Sequence, residues 1–540
     1  MLKITNIKVP LGSEFYAIEN KVSKTLGVTK GEIEKITILK KSQDKRQKGN
    51  PLNVYSLIVT LKSENEEMFC NNKNVSIYKP KLYQPMLSKV KGEKVAVVGF
   101  GPCGMFASLI LAKAGLVPVV FEQGEEIEKR IETVEALKTK GDLNVNSNIQ
   151  FGEGGAGNFS DGKLNTNVKD ERINYIFKEF VKFGADESIL VDSKPHIGTD
   201  KLVEVVANLR NEVISLGGKV NFNSKIIDFN KDEDISLLIE KDGNTYREDF
   251  KYVIFATGHS ARDTFFMIHK NGVKLQPKPF SVGFRIEHKQ EFINMCQYKN
   301  TYKKEENLPS AEYKLNSHLK NGRGVYTFCM CPGGEVLPSM SEENTVVTNG
   351  MSTFGRNFEN ANSAVLVSVD VKDYDNFRLD ENTPNELLGV DFQRTLERLA
   401  FSIGGGNYYA PCQLAEDFIK GVKTTRLKGV QPSYKPGVNF VDFNEHLPKF
   451  LCDSLKEGLV DFDKRIKGFT KNGSVLTGFE TRSSSPVKID RDEKMFSNIE
   501  GIVFAGEGSG YAGGITTSAI EGIKSAENVI LHIGNFAKLK

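Results

Sequence analysis

Ten consecutive residues constrain this chain's fold more than any others: Val95-Ala-Val-Val-Gly99-Phe-Gly101-Pro102-Cys103-Gly104, an apolar run closing on glycines spaced G-x-G-x-x-G. The helix-forming stretch Met105–Ala114 comes next, and a second apolar run, Pro118–Phe121, ends at Glu122. That order predicts strand, tight turn, helix and parallel strand, the βαβ unit that holds a dinucleotide. Gly99 permits the turn, Gly101 lets backbone approach a pyrophosphate, and Gly104 lets helix and strand pack closely. The helix N-terminus offers N–H donors and the positive end of its dipole to the phosphates. Glu122, 23 residues beyond Gly99 and followed by Gln123, stands where a carboxylate accepts hydrogen bonds from adenosine ribose hydroxyls. Its charge disfavours the 2′-phosphate of NADP. Two other readings compete. A glycine turn need hold no ligand, and Val95–Phe121 is apolar and long enough to cross a bilayer. Four glycines, Pro102, Pro118 and Lys113 within that stretch suit strand, turn, helix and strand better.

The rest of the 540-residue chain has the make-up of an ordinary globular protein of several domains. Lys and Arg number 72 against 69 Asp and Glu, leaving +3, with 39% hydrophobic residues, which argues against a polyanion-coating protein. Seven cysteines without regular spacing point to a reducing compartment, and the N-terminal segment with Lys3 and Lys8 has no apolar signal core. The expectation is a cytoplasmic protein. Residues 1–90 read as a small α/β domain: strand Leu2–Val9, helix Glu14–Leu26, strands Lys35–Leu39 and Val54–Leu61, and a basic loop from Lys40 to Lys48. The run Lys40, Lys41, Lys45, Arg46 and Lys48 is either a nucleic-acid contact or a solvated face. Residues 91–275 read as the first part of the dinucleotide-binding domain. Alternating runs such as Phe280–Ile286, Gly324–Cys329 and Ala364–Val371 make 276–496 an antiparallel-sheet domain, and 497–540 returns as strand, glycine turn and helix. Thr199 or Asp200 is the expected cap of a helix running to about Leu216.

A second G-x-G-x-x-G string, Gly152-Glu-Gly154-Gly155-Ala156-Gly157, follows polar residues instead of an apolar strand, so it fails as a second dinucleotide fold. It reads as a loop that turns N–H groups of Gly155, Ala156 and Gly157 toward a ligand bound nearby, or as a plain surface loop. Tyr252-Val-Ile-Phe-Ala256-Thr257-Gly258 is a strand ending in a small-residue turn. Gly501-Ile-Val-Phe-Ala-Gly506-Glu507-Gly508 is another with a carboxylate at its tip, leading through Gly510, Gly513 and Gly514 to a helix starting near Ile515.

Together these features resemble the two-dinucleotide-fold flavoproteins of the glutathione reductase and p-hydroxybenzoate hydroxylase type, over about residues 94–531. More narrowly, Gln150-Phe-Gly-Glu-Gly-Gly-Ala-Gly-Asn-Phe-Ser-Asp-Gly-Lys163-Leu164, Cys329-Met-Cys331-Pro-Gly-Gly334 and Ala505-Gly-Glu-Gly-Ser-Gly-Tyr-Ala-Gly-Gly-Ile515 resemble a bacterial and plastid family of FAD-dependent dehydrogenases. In that family a small N-terminal domain precedes the flavoprotein body. The resemblance implies an α/β fold: a Rossmann-like FAD/NAD(P)-binding domain, an inserted antiparallel-sheet substrate domain and the small α/β N-terminal domain. It implies FAD, with the pyrophosphate on the turn from Gly99 through Pro102 and Cys103 to Gly104, the AMP ribose on Glu122, and Arg130 near the phosphates. Ile226 meets the adenine through its backbone, and the turn at Ala256, Thr257 and Gly258 lies near the cofactor. Glu507, after Gly506, takes the ribityl position where the superfamily usually carries aspartate. Gly514, Ile515 and Thr516 present N–H groups to the flavin pyrimidine edge, where a reduced flavin is anionic.

Cys329 and Cys331, on a strand, would put both thiols on one face. They are either a thiol relay to the flavin or buried pocket-wall residues; the relays of disulfide reductases lie close to the first glycine motif, and a C-x-C bridge on a strand is strained. The sequence therefore favours two reduced, poorly reactive thiols. His259 with Ser260, Arg262 and Asp263 could bind an anion or orient a proton donor, or the histidine merely closes the turn. Glu480 and Arg482 are candidates to recognise a substrate carboxylate or phosphate, against a plain loop. No cysteine or histidine cluster has metal-ligand spacing. These features read as an FAD-dependent oxidoreductase acting on a small organic molecule, with NAD(P)H visiting transiently because only one dinucleotide site is present. The rival is a flavin-bearing RNA-binding or RNA-modifying protein that presents nucleic acid through residues 1–90, which the balanced charge disfavours. Substrate identity and oligomeric state are not legible.

Overall fold

The computed structural model describes residues 1–13, 15–44, 51–62, 66–299, 308–374 and 377–539. The apolar run at the first glycine motif forms the strand Lys94–Val98, at the centre of a five-stranded parallel sheet. Its neighbours are Val253–Phe255 and then Ile502–Phe504 on one side, and Val117–Phe121 and then Lys219–Asn221 on the other. The last strand of the chain thus completes a sheet begun some 400 residues earlier, which brings the turn after Phe504 beside the turn after Val98. These strands are apolar on both faces because both are covered. Val95 and Val97 pack under the helices Pro102–Lys113, Thr199–Ser215 and Ile515–Leu539. Ala96 and Val98 pack under the antiparallel strands Ser224–Lys231, Ile235–Lys241 and Asn244–Phe250 and the helix Arg262–Lys270. Gly104 does what its position predicts: a Cβ there would stand 1.9 Å from the Gly99 carbonyl oxygen.

The intervening chain builds a seven-stranded sheet in the order Asn316–His318, Gly324–Cys331, Asn360–Val369, Phe280–Lys289, Val475–Glu480, Ala410–Leu414 and Val438–Phe440. All pairings are antiparallel except the last. The alternation along Phe280–Lys289 survives in chemistry, yet both faces are buried. Phe280, Val282, Phe284 and Ile286 join an apolar core with the helices Leu388–Ile403 and Lys449–Arg465, while Ser281, Arg285 and Glu287 lie on the opposite, polar face. In the neighbouring strand the alternation breaks. Register slips between Phe328 and Cys331, and Cys329 takes φ +41°, so the two cysteines sit on a bulge instead of on one face of a regular strand.

The N-terminal unit is an antiparallel sheet ordered Ile33–Asp44, Leu52–Leu61, Leu2–Pro10 and Val75–Ile77, with Ile18, Val22 and Leu26 of the helix Phe15–Leu26 in its core. The expected basic loop is corrected here. Strand pairing continues through Lys41↔Tyr55 to Asp44↔Leu52, so Lys40 and Lys41 are strand residues, and Lys45, Arg46 and Lys48 lie outside the described residues. Lys41, on the edge strand, extends the sheet: its N–H donates to the Val191 carbonyl at 2.6 Å and its carbonyl accepts from the Ser193 N–H at 2.8 Å. The expected cap at Thr199 or Asp200 is also corrected. Gly198 holds the cap position of Thr199–Ser215 without a side-chain bond, and the Asp200 carboxylate accepts from the Phe354 N–H at 2.7 Å instead. Among the described residues no helix is long and apolar enough to cross a membrane.

Candidate functional site

A cavity of about 650 Å³ runs from the two glycine turns to the polar wall of the seven-stranded sheet. Gly99 makes the first turn at φ +97°, and a Cβ there would lie 2.9 Å from the Ala256 carbonyl. The helix Pro102–Lys113 begins with no side-chain cap, and Gly101, Pro102 and Cys103 line the cavity, leaving its first turn to a ligand. Glu122 lines the same end and ties two loops together: its carboxylate accepts from the Phe100 N–H at 2.7 Å and from the Gly124 and Gly152 N–H groups at 3.0 Å each. Gln123 and Ile226 are beside it, and Gly155, Ala156 and Gly157 close from below. Gly155 comes so near the phosphate turn that a Cβ on it would stand 3.1 Å from Gly101 Cα. Ala256, Thr257, Gly258, Glu507, Gly514 and Ile515 complete the cradle. Gly514 sits at φ +118°, and a Cβ there would meet no protein atom within 4 Å, so bare backbone faces the cavity at the start of the helix Ile515–Leu539.

Four expected cofactor residues stand behind this surface. Gly104 packs on Gly99. The Gly506 N–H donates to Glu521 at 3.3 Å, and the Thr516 hydroxyl to the Leu164 carbonyl at 2.7 Å. Arg130 is the larger correction: it is fully buried, and instead of facing phosphates its guanidinium donates to the carbonyls of Asn148, Ile149, Gly152, Glu153 and Gly155. Its charge is spent holding the second glycine loop against the cradle.

The candidate reacting groups separate likewise. His259 lines the cavity, with Nδ1 3.1 Å from the Ser260 hydroxyl and Nε2 4.0 Å from Glu507. Burial, helped by the charges of Arg482 and Arg262, pushes the imidazole down to about 3, so it is neutral at physiological pH. Burial pushes the Glu507 carboxyl up to about 7 against the pull of Lys278. Arg262 does not reach the cavity. It is bound to Glu397 at 2.6 and 2.8 Å, to Gln393 at 3.0 Å and to Glu342 at 3.1 Å, which makes it a strut between helices instead of an anion site. Asp263 pairs with Lys225 on the surface. Arg482 lines the cavity, but its guanidinium is committed to Glu397 at 2.8 and 3.0 Å and to Ser341 at 2.6 Å. Glu480 accepts two bonds from Arg285 Nη1, at 2.9 and 3.1 Å, and burial raises it to about 7 despite that partner. Neither is free to recognise a substrate anion as the sequence suggested.

A group the sequence reading passed over carries the charge of the far wall. Asp161 pairs with Arg356 at 2.5 and 3.0 Å and with Lys163 at 2.8 Å, and Glu312 pairs with Lys194 at 2.8 Å. Burial works against the Asp161 carboxylate, but Lys163 and Arg356 outweigh it and hold it below its ordinary range. Asp161 and Lys163 belong to the glycine-rich string already singled out, which was the available signal; Arg356 and Glu312 have none. Cys329 lines this end of the cavity, Cys331 is buried behind it, and both are free thiols.

A parallel sheet with an uncapped helix over a glycine turn, a carboxylate at the next strand's tip and a returning glycine turn defines a dinucleotide-binding flavoprotein fold, and the donors present fit FAD. Residues 279–483 match the family described as FAD-dependent protein, C-terminal domain-like, and residues 1–60 match a domain of unknown function. An uncharacterized protein of Clostridium beijerinckii is 43% identical over 536 residues, 98% of each chain. This chain belongs to the same family of FAD-dependent proteins. Among solved structures, a triple mutant of the flavin-dependent brominase Bmp2 is 11% identical with TM-score 0.36, over 82% of this chain and 80% of that one. A flavoprotein/dehydrogenase from Cytophaga hutchinsonii is 12% identical with TM-score 0.35, over 82% and 79%.

Proposed function

We propose that the protein is a cytoplasmic FAD-dependent oxidoreductase that takes electrons from transiently bound NAD(P)H and passes them to a small organic molecule. One observation carries the reading: one cavity is bounded at one end by the glycine cradle and at the other by the ionic wall of Asp161, Lys163, Glu312 and Arg356 beside the inserted sheet. FAD, when bound, supplies the two-electron chemistry. The chain's own part is to hold the phosphates on the uncapped helix, fix the ribose on Glu122, and keep His259 neutral beside a Glu507 whose carboxyl is raised to about 7. The same reading divides the chain near residues 90, 275 and 496, and the seven free cysteines suit a reducing compartment. The test is a purified protein that is yellow, releases FAD and not FMN, and is bleached anaerobically by NADH or NADPH. A colourless protein that FAD does not reconstitute overturns the assignment.

A further inference from the structure

The two sulfurs on the bulge are arranged for more than packing. With Cys329 at φ +41°, the Cys331 thiol donates to the Cys329 carbonyl at 3.3 Å. The buried Arg285 guanidinium donates to the same carbonyl at 3.0 Å and stands 3.6 Å from the Cys331 sulfur. Lys163 donates to the Met330 carbonyl between them. Cys329 faces the cavity and Cys331 does not. The adjoining wall is one connected group of charges, Lys163, Lys194 and Arg356 with Asp161 and Glu312, and Lys314 lines the cavity beside it.

We propose that Cys329 and Cys331 are the attacking and resolving sulfurs of a dithiol that reduces the disulfide bond of a small anionic molecule entering this chamber. The proposal rests on the oxidoreductase reading for the electrons that restore the dithiol. The Cys329 sulfur attacks one sulfur of R–S–S–R, that bond breaks, and the first thiolate leaves. Cys331 gives up its proton and attacks Cys329, the mixed disulfide breaks, and the second thiolate leaves. The sum is one external disulfide and two protein thiols converted to two external thiols and a Cys329–Cys331 bridge, which two electrons and one proton from NAD(P)H, passed by way of the flavin, and a second proton from solvent return to the dithiol. A second thiol on the same bulge favours sulfur over an electrophilic carbon, because it resolves a mixed disulfide and does nothing for a thioether. Strain in a bridge closed over so few residues raises its potential and makes it easily reduced. The electrostatics agree with the roles. The neighbouring Cys331 thiol, with Lys163 and Arg285, holds the Cys329 thiol well below the ordinary range, while the Cys329 sulfur and burial push Cys331 up. This reverses the sequence expectation of two unreactive thiols, which assumed a regular strand.

The test uses dithiobis(nitrobenzoate), a dianionic disulfide, on the anaerobic full-length flavoprotein carrying Cys70→Ser and Cys296→Ser, the remaining partly exposed cysteines. The expected result is rapid release of two thionitrobenzoates per chain with no adduct. Cys331→Ser releases one and keeps the other on the Cys329 peptide, and Cys329→Ser releases none at that rate. Between pH 8 and 6 the rate falls less than about fivefold, where an ordinary thiol's falls about 75-fold. The titratable and charged groups around the Cys329–Cys331 pair are Lys163, Asp161, Arg285, Arg356 and Glu480, from the glycine loop and three neighbouring segments. Brief alkylation of the unsubstituted protein at pH 6 should label Cys329 first, which keeps the test available if a variant does not fold. Single release with Cys331 present, an adduct on Cys331, or the pH dependence of an ordinary thiol overturns the proposal. A yellow protein with single release refutes the dithiol alone; a colourless protein with double release refutes the flavin reading alone.

Discussion

Removing the Arg130 guanidinium should loosen the FAD cradle without unfolding the protein. Arg130 donates to five carbonyls between Asn148 and Gly155, and its pKa is pushed down to about 10 by burial against the pull of Glu122, Glu153 and Glu125. Hydrogen bonds to a charged group contribute roughly 1.5–3 kcal/mol each, and such terms do not add fully. Counting only the two single bonds of Nε at 2.9 Å and Nη2 at 3.0 Å, Arg130→Met costs about 3–6 kcal/mol if the loop stays in place. The loop has a cheaper course, because its carbonyls are rehydrated if it lifts off. Lifting withdraws Gly155, Ala156 and Gly157 from the cradle, so about 3 kcal/mol would appear as a FAD dissociation constant raised roughly 150-fold. Flavin fluorescence titration of the apoprotein gives the affinity, and hydrogen exchange over 148–157 reports the loop. Unchanged affinity together with unchanged protection of that loop would refute the reasoning.

Gly101→Val should abolish FAD retention while leaving the fold intact, since a Cβ there stands 3.6 Å from Gly155, ordinary contact for the protein, but fills the pyrophosphate path; size-exclusion profile and flavin content check both halves. Glu507→Ala should weaken FAD about tenfold to over a hundredfold, the worth of one charge-assisted hydrogen bond; an unchanged affinity in a folded variant would assign Glu507 another role. Because burial raises Glu507 to about 7, its contribution to stability is complete below its unfolded pKa and is lost as pH rises through 7. The melting temperature of apo Glu507→Gln should therefore gain on wild type between pH 5 and pH 8, and a constant gap over that range would show that the carboxyl is not desolvated.

What was legible in the sequence is what depends on near neighbours. The turn from Gly99 to Gly104, the strands flanking it and the C-terminal return are dictated by spacing within a few residues, and the structure keeps them. What was not legible depends on groups that meet only after folding. Arg262 and Arg482 looked available for anions because Glu397, which takes both, lies over eighty residues from either and carries no local mark. Arg130 looked free for the same reason, its partners being carbonyls in a loop with no regular pattern. The bulge at Cys329 escaped a reading based on alternation because one extra residue in a ladder leaves composition and periodicity on either side unchanged.

The pairing of Lys41 with Val191 and Ser193 makes the N-terminal sheet a mooring for the chain that enters the chamber wall. Lys194 and His196 follow directly, Lys194 in the wall itself and His196 half-buried against the Phe354 carbonyl at 3.1 Å. A segment stitched to a neighbouring sheet by main-chain bonds opens only when that sheet lets go. The small unit and the chamber should accordingly lose protection together on gentle heating, so that residues 1–78 act less as an appendage than as a splint: cutting them away would leave the far wall without its outer support while the parallel sheet stood unaltered.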